Sequence, residues 1–441
     1  MTRTWQEKRR ERFAKWLNPP GLEFVGPEAE KAYQGRVQRL IDAIELKKTP
    51  DRVPIYPNHT FLPAYVYGKT PLDCMSDVRL AVEIWGRFLE DYAFDAYGPI
   101  GLVTPIPPME TLGYELYKWP GVGGVPRTSI YRYVEHDWME ADEYADLARD
   151  PSNFWLRTYV PRFCRALAGF TSLPAATEFI ELPNFASFVS AFGRPEVRAS
   201  LEKLMEAGRQ TLEWMEVVGQ FMGQAAARGY PTSAGGFTKA PFDTLSDTLR
   251  SMQSAMTDMR RRPGPMLEAL ERLTPLAGRM AVDGIEQSGN PLVFIPLHKG
   301  ADGFMSQSQF EKFYWPGLKK TMETIIEAGG VPVPFAEGGY NDRLDYFKDL
   351  PKGAVAWMID KSDLPELKKR VGDHCCLIGN VPGSLFHSGE PADIEKYCRR
   401  LIDEVAPGGG FMMASGTVLD DTRPEMVKAM IDATLKYGAY C

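Results

Sequence analysis

A series of short apolar runs in the C-terminal half of the chain limits the possible folds more than any other feature. The runs alternate with stretches of helical periodicity, and each is followed at once by a polar residue: 292–297 by His298, 331–336 by Glu337, 355–359 by Asp360, 376–379 by Asn380 and 411–414 by Ser415. Parallel strands need a crossover of a dozen or more residues, and strands buried on both faces have continuous apolar sequences. The pattern predicts an α/β fold, a (β/α)8 TIM barrel whose site lies at the carboxyl ends of the strands.

The chain has 441 residues, which is long for one core but common for an elaborated barrel. Residues 1–50 are charged and helix-forming, with a break at Pro19-Pro20-Gly21, and they predict an N-terminal helical arm. The barrel then occupies 51–441, with a helical excursion at about 140–228.

Three local patterns add detail to this barrel. Residues 51–56 and 94–97 predict the first two strands, and the Pro- and Gly-rich stretch 101–135, with a hairpin-like segment at 131–134, predicts a long loop over the barrel mouth. Residues 242–263 predict one amphipathic helix that ends at a proline.

Charge and composition exclude several classes of partner. The net charge of −7 disfavours nucleic acid, which requires a strongly basic face. No stretch approaches the ~20 apolar residues of a spanning helix, and the N-terminus lacks the apolar core of a signal peptide. Six cysteines without a C-x-x-C pair predict buried free thiols in a reducing compartment. We therefore expect a cytoplasmic protein that binds neither nucleic acid nor membrane.

The polar residues after the strands form a candidate site. The catalytic candidates are Glu337, His298, Tyr340 and Arg343, and the substrate-binding candidates are Asn58, His59, Asp302, Asp360 and Asn380. Burial is expected to raise the pKa of Glu337 toward neutrality, which suits a general acid. Each of these residues alone is compatible with a turn or cap, and Glu337 with Arg343 is also compatible with a structural ion pair. His298, Glu337 and Asp360 are suitable metal ligands, but without a closely spaced ligand pair we expect no metal.

Several segments resemble the uroporphyrinogen decarboxylase superfamily, which includes corrinoid-dependent methyltransferases and O-demethylases. The resemblance runs from about residue 50 to the end, and the matching segments are Asp51-Arg-Val-Pro-Ile, Phe310-Glu-Lys-Phe-Tyr-Trp-Pro, Ile325-Ile-Glu-Ala-Gly-Gly-Val-Pro-Val, Gly379-Asn-Val-Pro-Gly-Ser-Leu-Phe-His, Pro407-Gly-Gly-Gly-Phe-Met-Met-Ala-Ser-Gly and Arg423-Pro-Glu-Met-Val-Lys-Ala-Met. These motifs indicate the fold more specifically than the reaction.

Departures from the family patterns argue against two of the reactions that occur in the superfamily. Where the true decarboxylase has paired arginines for a polycarboxylate, this chain has Asn58-His59-Thr60, and the aspartate of an F-S-D stretch is replaced within Ile100-Gly101-Leu102. A late G-H-G histidine corresponds to Ser415-Gly416-Thr417. The thiol-methylating members have H-x-C where this chain has Phe335-Ala336-Glu337, so their zinc-thiolate chemistry is also disfavoured.

The resemblance therefore implies a methyltransferase that demethylates a small O-, N- or S-methyl compound, with Glu337 protonating the leaving group. The chain has no D-x-H-x-x-G stretch, so the corrinoid (cobalamin) is expected on a partner protein rather than bound covalently. The alternatives are a decarboxylase or lyase that acts on a non-porphyrin or tetrapyrrole acid, and a non-catalytic ligand-binding barrel. Barrels of this type often pair, so a homodimer is a further expectation.

Overall fold

The computed structural model describes residues 3–98, 100 and 103–440. The α-helices in this part of the chain are α1 Trp5–Leu17, α2 Pro27–Glu45, α3 Leu62–Val66, α4 Pro71–Ser76, α5 Val78–Asp91, α6 Ile106–Leu112, α7 Tyr144–Arg149, α8 Pro151–Phe154, α9 Val160–Phe163, α10 Leu182–Phe192, α11 Pro195–Ala227, α12 Pro241–Thr244, α13 Met252–Arg261, α14 Pro263–Ser288, α15 Gln307–Gln309, α16 Trp315–Glu327, α17 Leu364–Val371, α18 Gly383–Ser388, α19 Pro391–Val405 and α20 Pro424–Tyr437. Turns of π-helix occupy Trp155–Tyr159, Leu245–Leu249 and Phe310–Tyr314, and 3-10 helices occupy Arg165–Ser172, Ala176–Glu178 and Asn341–Asp349.

The strands form one large parallel sheet and one small antiparallel pair. They are β1 Tyr117–Lys118, β2 Arg132–Tyr133, β3 Gly236–Phe237, β4 Leu292–Leu297, β5 Val331–Ala336, β6 Ala356–Ile359, β7 Cys376–Val381 and β8 Phe411–Ser415. Strands β3 to β8 pair in sequence order in a six-stranded parallel sheet, and β1 pairs with β2. The five apolar runs of the C-terminal half are confirmed as β4 to β8, and the hairpin-like segment is confirmed as β2.

The two predicted N-terminal strands are extended segments rather than regular strands. Residues 51–56 are attached through isolated bridges of Arg52 to Ala439 and of Ile55 to Met413, and residues 94–97 through one bridge of Tyr97 to Thr232. Pro54 and Pro57 have no N–H to donate, which prevents a continuous ladder along the first segment. The α/β prediction is confirmed, whereas the regular sheet has six strands in the described residues.

Both faces of the parallel sheet are buried. Val331, Val333 and Phe335 of β5 belong to a core that also contains apolar side chains of α1 and α2. The alternate residues Val293 and Ile295 of β4 belong to a second core with the surrounding helices. Burial on two faces explains the continuous apolar runs.

The predicted helical arm consists of α1 and α2, and it is anchored by the buried Arg9 and the partly buried Arg39. The guanidinium of Arg9 donates to the carbonyls of Gly353 at 2.9 Å and Ala354 at 3.0 Å, and also to that of Gly330. Arg39 on α2 binds the buried carboxylate of Asp95 at 2.6 Å. The arm therefore contacts both late and early parts of the chain.

The prediction of one continuous helix over 242–263 was wrong. The segment is divided into α12, a π-helical turn and α13, with an extended backbone at Arg250 between them. The buried guanidinium of Arg250 donates to Asp258 at 2.9 Å and to the carbonyl of Met139 at 2.6 Å, and Ser251 caps α13. These polar contacts favour a break that apolar periodicity alone does not reveal.

The five cysteines among the described residues are buried and free, whereas Cys441 lies outside that part of the chain. Gly101 and Leu102, predicted to replace the family's F-S-D aspartate region, also lie outside it. In the ranges that the structure describes, no helix combines the length and the apolar character needed to cross a bilayer.

Candidate active site

His298 and Glu337 lie side by side at the carboxyl ends of two neighbouring strands. Leu297 of β4 pairs in register with Ala336 of β5, and the two candidates are the next residues along each strand. His298 Nε2 lies 3.7 Å from Glu337 Oε1, and the two side chains are 33% and 38% exposed. Both groups are therefore in contact with each other and accessible from solvent.

Asp247 holds the other side of the His298 ring. Its carboxylate lies 2.5 Å from His298 Nδ1 and accepts a hydrogen bond from Lys239 Nζ at 2.6 Å. Lys299 Nζ lies 3.0 Å from the second oxygen of the same carboxylate. Three cationic or hydrogen-bonding groups thus fix Asp247, and Asp247 fixes the orientation of the imidazole.

Asp243 holds the backbone at the start of the loop after β4. Its buried carboxylate accepts the backbone N–H groups of His298 at 3.0 Å and Lys299 at 3.1 Å, and the hydroxyl of Tyr314 at 2.7 Å. Asp247 and Tyr314 both lie on π-helical turns. Such turns are frequent at functional sites because they redirect side chains locally.

The environment shifts the two facing groups toward their protonated forms. Burial alone would lower the pKa of His298, but the hydrogen bond to Asp247 and the negative charges of Asp247, Asp243 and Glu337 raise it. Burial raises the pKa of Glu337; His298 opposes this, whereas the charges of Asp243 and Asp360 reinforce it. The predicted direction for Glu337 agrees with this environment.

The two aspartates are shifted in opposite directions. Although burial acts to raise it, the pKa of Asp247 lies far below the usual range because His298, Lys239 and Lys299 stabilise the anion. Burial and the nearby charge of Asp247 raise the pKa of Asp243. Asp247 is therefore the permanent counter-ion of His298.

Tyr340 and Arg343 follow β5, and their side chains contact the end of β4 and the loop after it. Tyr340 is buried, and its hydroxyl lies 3.4 Å from the carbonyl of Leu297. The Arg343 guanidinium donates to Met305 O at 2.8 Å and to Gln307, and it stacks over Phe310. The carboxylate that faces Arg343 is Asp302, at 3.8 Å, rather than Glu337.

Asp360 and Asn380 lie at the carboxyl ends of the next two strands, β6 and β7. Asp360 accepts the N–H of Gly338 at 2.8 Å, and Asn380 donates to the carbonyls of Asp360 at 3.0 Å and Ser362 at 2.8 Å. Both line a cleft of about 650 Å³. A larger cavity, of about 880 Å³, is lined by the arm and by residues that precede β4, so it belongs to the opposite end of that strand.

Asn58 and His59 follow the first extended segment and lie next to the end of β8 and the residues after it. Asn58 donates to the carbonyl of Ser415 at 3.2 Å. The His59 ring packs edge-on against Phe88, and neither ring nitrogen has a hydrogen-bond partner in the part of the chain that the structure describes. Burial lowers the pKa of His59 to about 4.

Tyrosines of the loop that was predicted to cover the barrel mouth lie near Asp247. Tyr117 packs edge-on against both Tyr131 and Tyr133, with ring centroids 5.5 Å apart in each pair. Burial raises the pKa of Tyr133, and the charge of Asp247 adds to the effect. The Tyr133 hydroxyl is buried without a partner among the described residues. A polar group of a bound ligand would satisfy it.

Sequence reasoning missed Lys239, Asp243, Asp247, Lys299 and Tyr314. A signal existed, because Asp243 and Asp247 have the i, i+4 spacing that places two side chains on one helical face directly after β3. The apolar periodicity of the segment led instead to a prediction of a helix without a functional role. Within the described ranges, no group of three or more His, Cys, Asp or Glu side chains is arranged to hold a metal ion.

The arrangement can move a proton. A half-exposed carboxyl group with a raised pKa faces an imidazole whose far nitrogen is held by an anion, which is the requirement for general acid and base work.

Comparisons with known proteins agree with this fold. Searching the curated proteins gave no match. Among solved structures, a methyltransferase from Methanosarcina mazei aligns with a TM-score of 0.58 at 17% sequence identity, over 92% of this chain and 98% of that chain. The uroporphyrinogen decarboxylase (URO-D) family model matches residues 195–437, more than half of the sequence. The chain is therefore a member of the uroporphyrinogen decarboxylase family.

Proposed function

We propose that the chain is a methyltransferase that removes a methyl group from a small O-, N- or S-methyl compound and delivers it to a corrinoid on a partner protein. The observation that carries the proposal is the His298–Glu337 pair, 3.7 Å apart at adjacent strand ends. Family membership and the fold shared with a methyltransferase support it.

In the proposed reaction, Glu337 acts as the general acid. Its raised pKa keeps a proton available for the oxygen, nitrogen or sulfur that loses the methyl group. His298, oriented by Asp247, faces the same carboxyl group and can return a proton to it after turnover. The corrinoid would supply the methyl acceptor. The partial exposure of both side chains leaves room for a group presented by another protein.

The first experiment follows the absorbance of reduced corrinoid mixed with the protein and a panel of methylated ethers, amines and thioethers. We expect the spectrum to change to that of the methylated form with one class of donor. No change across the panel, with the corrinoid kept reduced, would contradict the proposal.

The role of Glu337 is tested with Glu337→Gln, which is nearly isosteric. We expect a roughly 100- to 10,000-fold loss of rate, because general acid catalysis contributes about that much. The wild-type rate should fall as pH rises through the raised pKa of Glu337, because the donor is then deprotonated, and this alkaline decline should disappear in the variant. The matched control is Glu327→Gln, whose side chain is 68% exposed on α16.

A decarboxylase or lyase acting on a small acid is the second candidate. Lys239 and Lys299 lie close to the proposed acid-base pair and are suitable partners for a substrate carboxylate. Release of CO2 from a panel of carboxylic acids, without methyl transfer, would favour this reaction. A protein that binds its ligand without converting it would instead be a non-catalytic member.

We also propose that the fold is the closed eight-stranded (β/α)8 barrel on residues 51–441, preceded by the arm. Three backbone hydrogen bonds support closure through the two extended segments: Tyr56 to Met413 at 2.8 Å, Asp95 to Ile55 at 2.9 Å and Ser233 to Tyr97 at 2.8 Å. They link β8 to the first segment, the first to the second, and the second to the residues that precede β3.

A further inference from the structure

The segment that contains α10, the residues just before it and the first half of α11 carries an unusual share of the exposed apolar surface. Ten of the nineteen large apolar side chains that are exposed in the described ranges lie between residues 179 and 215, which is less than a tenth of the chain. They are Phe179, Ile180, Leu182, Phe185, Val189, Phe192, Leu204, Met205, Leu212 and Met215. Concentrated apolar surface on a folded protein marks an interaction site.

Helix α11 has two parallel rows of small and apolar residues. The inner row, which includes Val197, Ala207 and Phe221, is buried against the rest of the molecule. The outer row, here called the outer seam, consists of Met205, Gly208, Leu212, Met215 and Gly219. Its spacing of three and four residues is the heptad spacing of helices that pack side by side.

The outer seam faces solvent over about four turns of the helix. Met205, Leu212 and Met215 are 65%, 67% and 60% exposed. Gly208 and Gly219 have no neighbouring atom within 4 Å of the position that a Cβ would occupy. Glycine in such a row lets a second helix approach closely, while the larger residues fill the space between the two helices.

We propose that the outer seam is the interface of a homodimer, in which α11 of one chain packs antiparallel against α11 of a second copy. In the antiparallel heptad register, Leu212 lies against the partner's Met215 and Gly208 lies against the partner's Gly219. A two-fold axis repeats both contacts, so one seam supplies both sides of the interface.

Charge complementarity favours this register. It places Arg209 opposite the partner's Glu216, and the two-fold axis forms the pair twice. Within its own chain Arg209 already binds Glu206 at 2.8 Å and also Glu213. A parallel arrangement would place Leu204 or Thr211 opposite these charges and would leave them without opposite charges across the interface.

Three glutamates beside the seam argue against a membrane surface as the occupant. Glu206, Glu213 and Glu216 flank the apolar row, whereas helices that lie on anionic lipid carry Lys and Arg there.

The test is the mass of the full chain in solution, measured by sedimentation at micromolar concentration. We expect twice the chain mass of 49.5 kDa. Leu212→Glu should raise the dimer dissociation constant roughly 100-fold, because it buries an unpaired charge at the centre of the interface. Leu435→Glu, the same change at a leucine 41% exposed on α20, is the matched control and should leave the dimer intact. A monomeric wild-type chain, or a dimer unaffected by Leu212→Glu, would overturn the proposal.

A charge exchange tests the register itself. Arg209→Glu and Glu216→Arg should each weaken the homodimer, because each places like charges opposite one another twice. A mixture of the two variants should form a heterodimer, because both cross-pairs then have opposite charges. Failure of the mixed variants to associate more tightly than either variant alone would rule out the antiparallel register.

Discussion

At the scale of single residues, the charge on His298 depends on one carboxylate. Asp247 contacts the imidazole at 2.5 Å, and its hydrogen bond and charge outweigh the burial that would otherwise lower the pKa of His298. We expect Asp247→Asn to lower the pKa of His298, as measured by NMR titration of the histidine ring protons. Asp302→Asn, which changes a carboxylate that faces Arg343, is the control. An unchanged His298 titration in Asp247→Asn would show that another group sets its charge.

His59 makes stability depend on pH. Burial lowers its pKa from 6.5 to about 4, so at pH values between these limits the unfolded chain binds a proton that the folded chain does not. The stability associated with neutral His59 is present above pH 6.5 and is lost as pH falls through about 4. The full loss is on the order of 3 kcal/mol.

Urea unfolding of His59→Phe between these pH values measures the effect. The variant should lose less stability on acidification than the wild type. His387→Phe, which changes an exposed histidine, should keep the wild-type pH dependence. If the free energy of unfolding changed with pH to the same extent in all three proteins, His59 would not be the source of the pH dependence.

At the scale of elements, the break between the π-helical turn and α13 depends on Arg250. Its guanidinium binds the buried carboxylate of Asp258, which also accepts the hydroxyl of Tyr144 at 3.0 Å. We expect Arg250→Ala to reduce the free energy of unfolding by about 3–5 kcal/mol, because it leaves a buried charge with fewer partners. Arg149→Ala, which removes an exposed pair with Asp146, should cost about 0–1 kcal/mol. Chemical denaturation compares the two, and similar losses would contradict a special role for Arg250.

The parallel strands and the polar residues of the candidate site show what sequence can and cannot predict. Periodicity located β4 to β8 because each strand is buried on both faces, and it placed His298 and Glu337 next to each other because their strands are neighbours. It did not reveal Asp243 and Asp247, since their roles depend on contacts with His298, more than fifty residues away. Likewise, Arg343 was predicted to act with Glu337, but its partners Met305 and Gln307 became apparent only in three dimensions.

At the scale of the whole molecule, Arg9 connects the arm to the base of the sheet. It is buried, and burial lowers its pKa to about 9. We expect Arg9→Met to lower the free energy of unfolding by about 3 kcal/mol, because the carbonyls that it binds lose their donor. Arg10→Met changes the neighbouring exposed arginine and should have little effect. Thermal unfolding of both variants measures the difference, and equal midpoints would show that the contact adds no stability.

The anchoring of Arg9 also has a consequence for synthesis on the ribosome. The carbonyl of Gly353 is made 344 residues after the arginine that binds it. At about 5–20 residues per second, the first helix waits on the order of 20 to 70 s before that acceptor exists. For most of this interval strands β4 to β8, which share a core with Phe13 and Trp16 of the same helix, have not yet been made. Helix α1 can therefore complete its native contacts only after Gly353 and the later strands have been made, and until then its apolar side chains need protection from other partners.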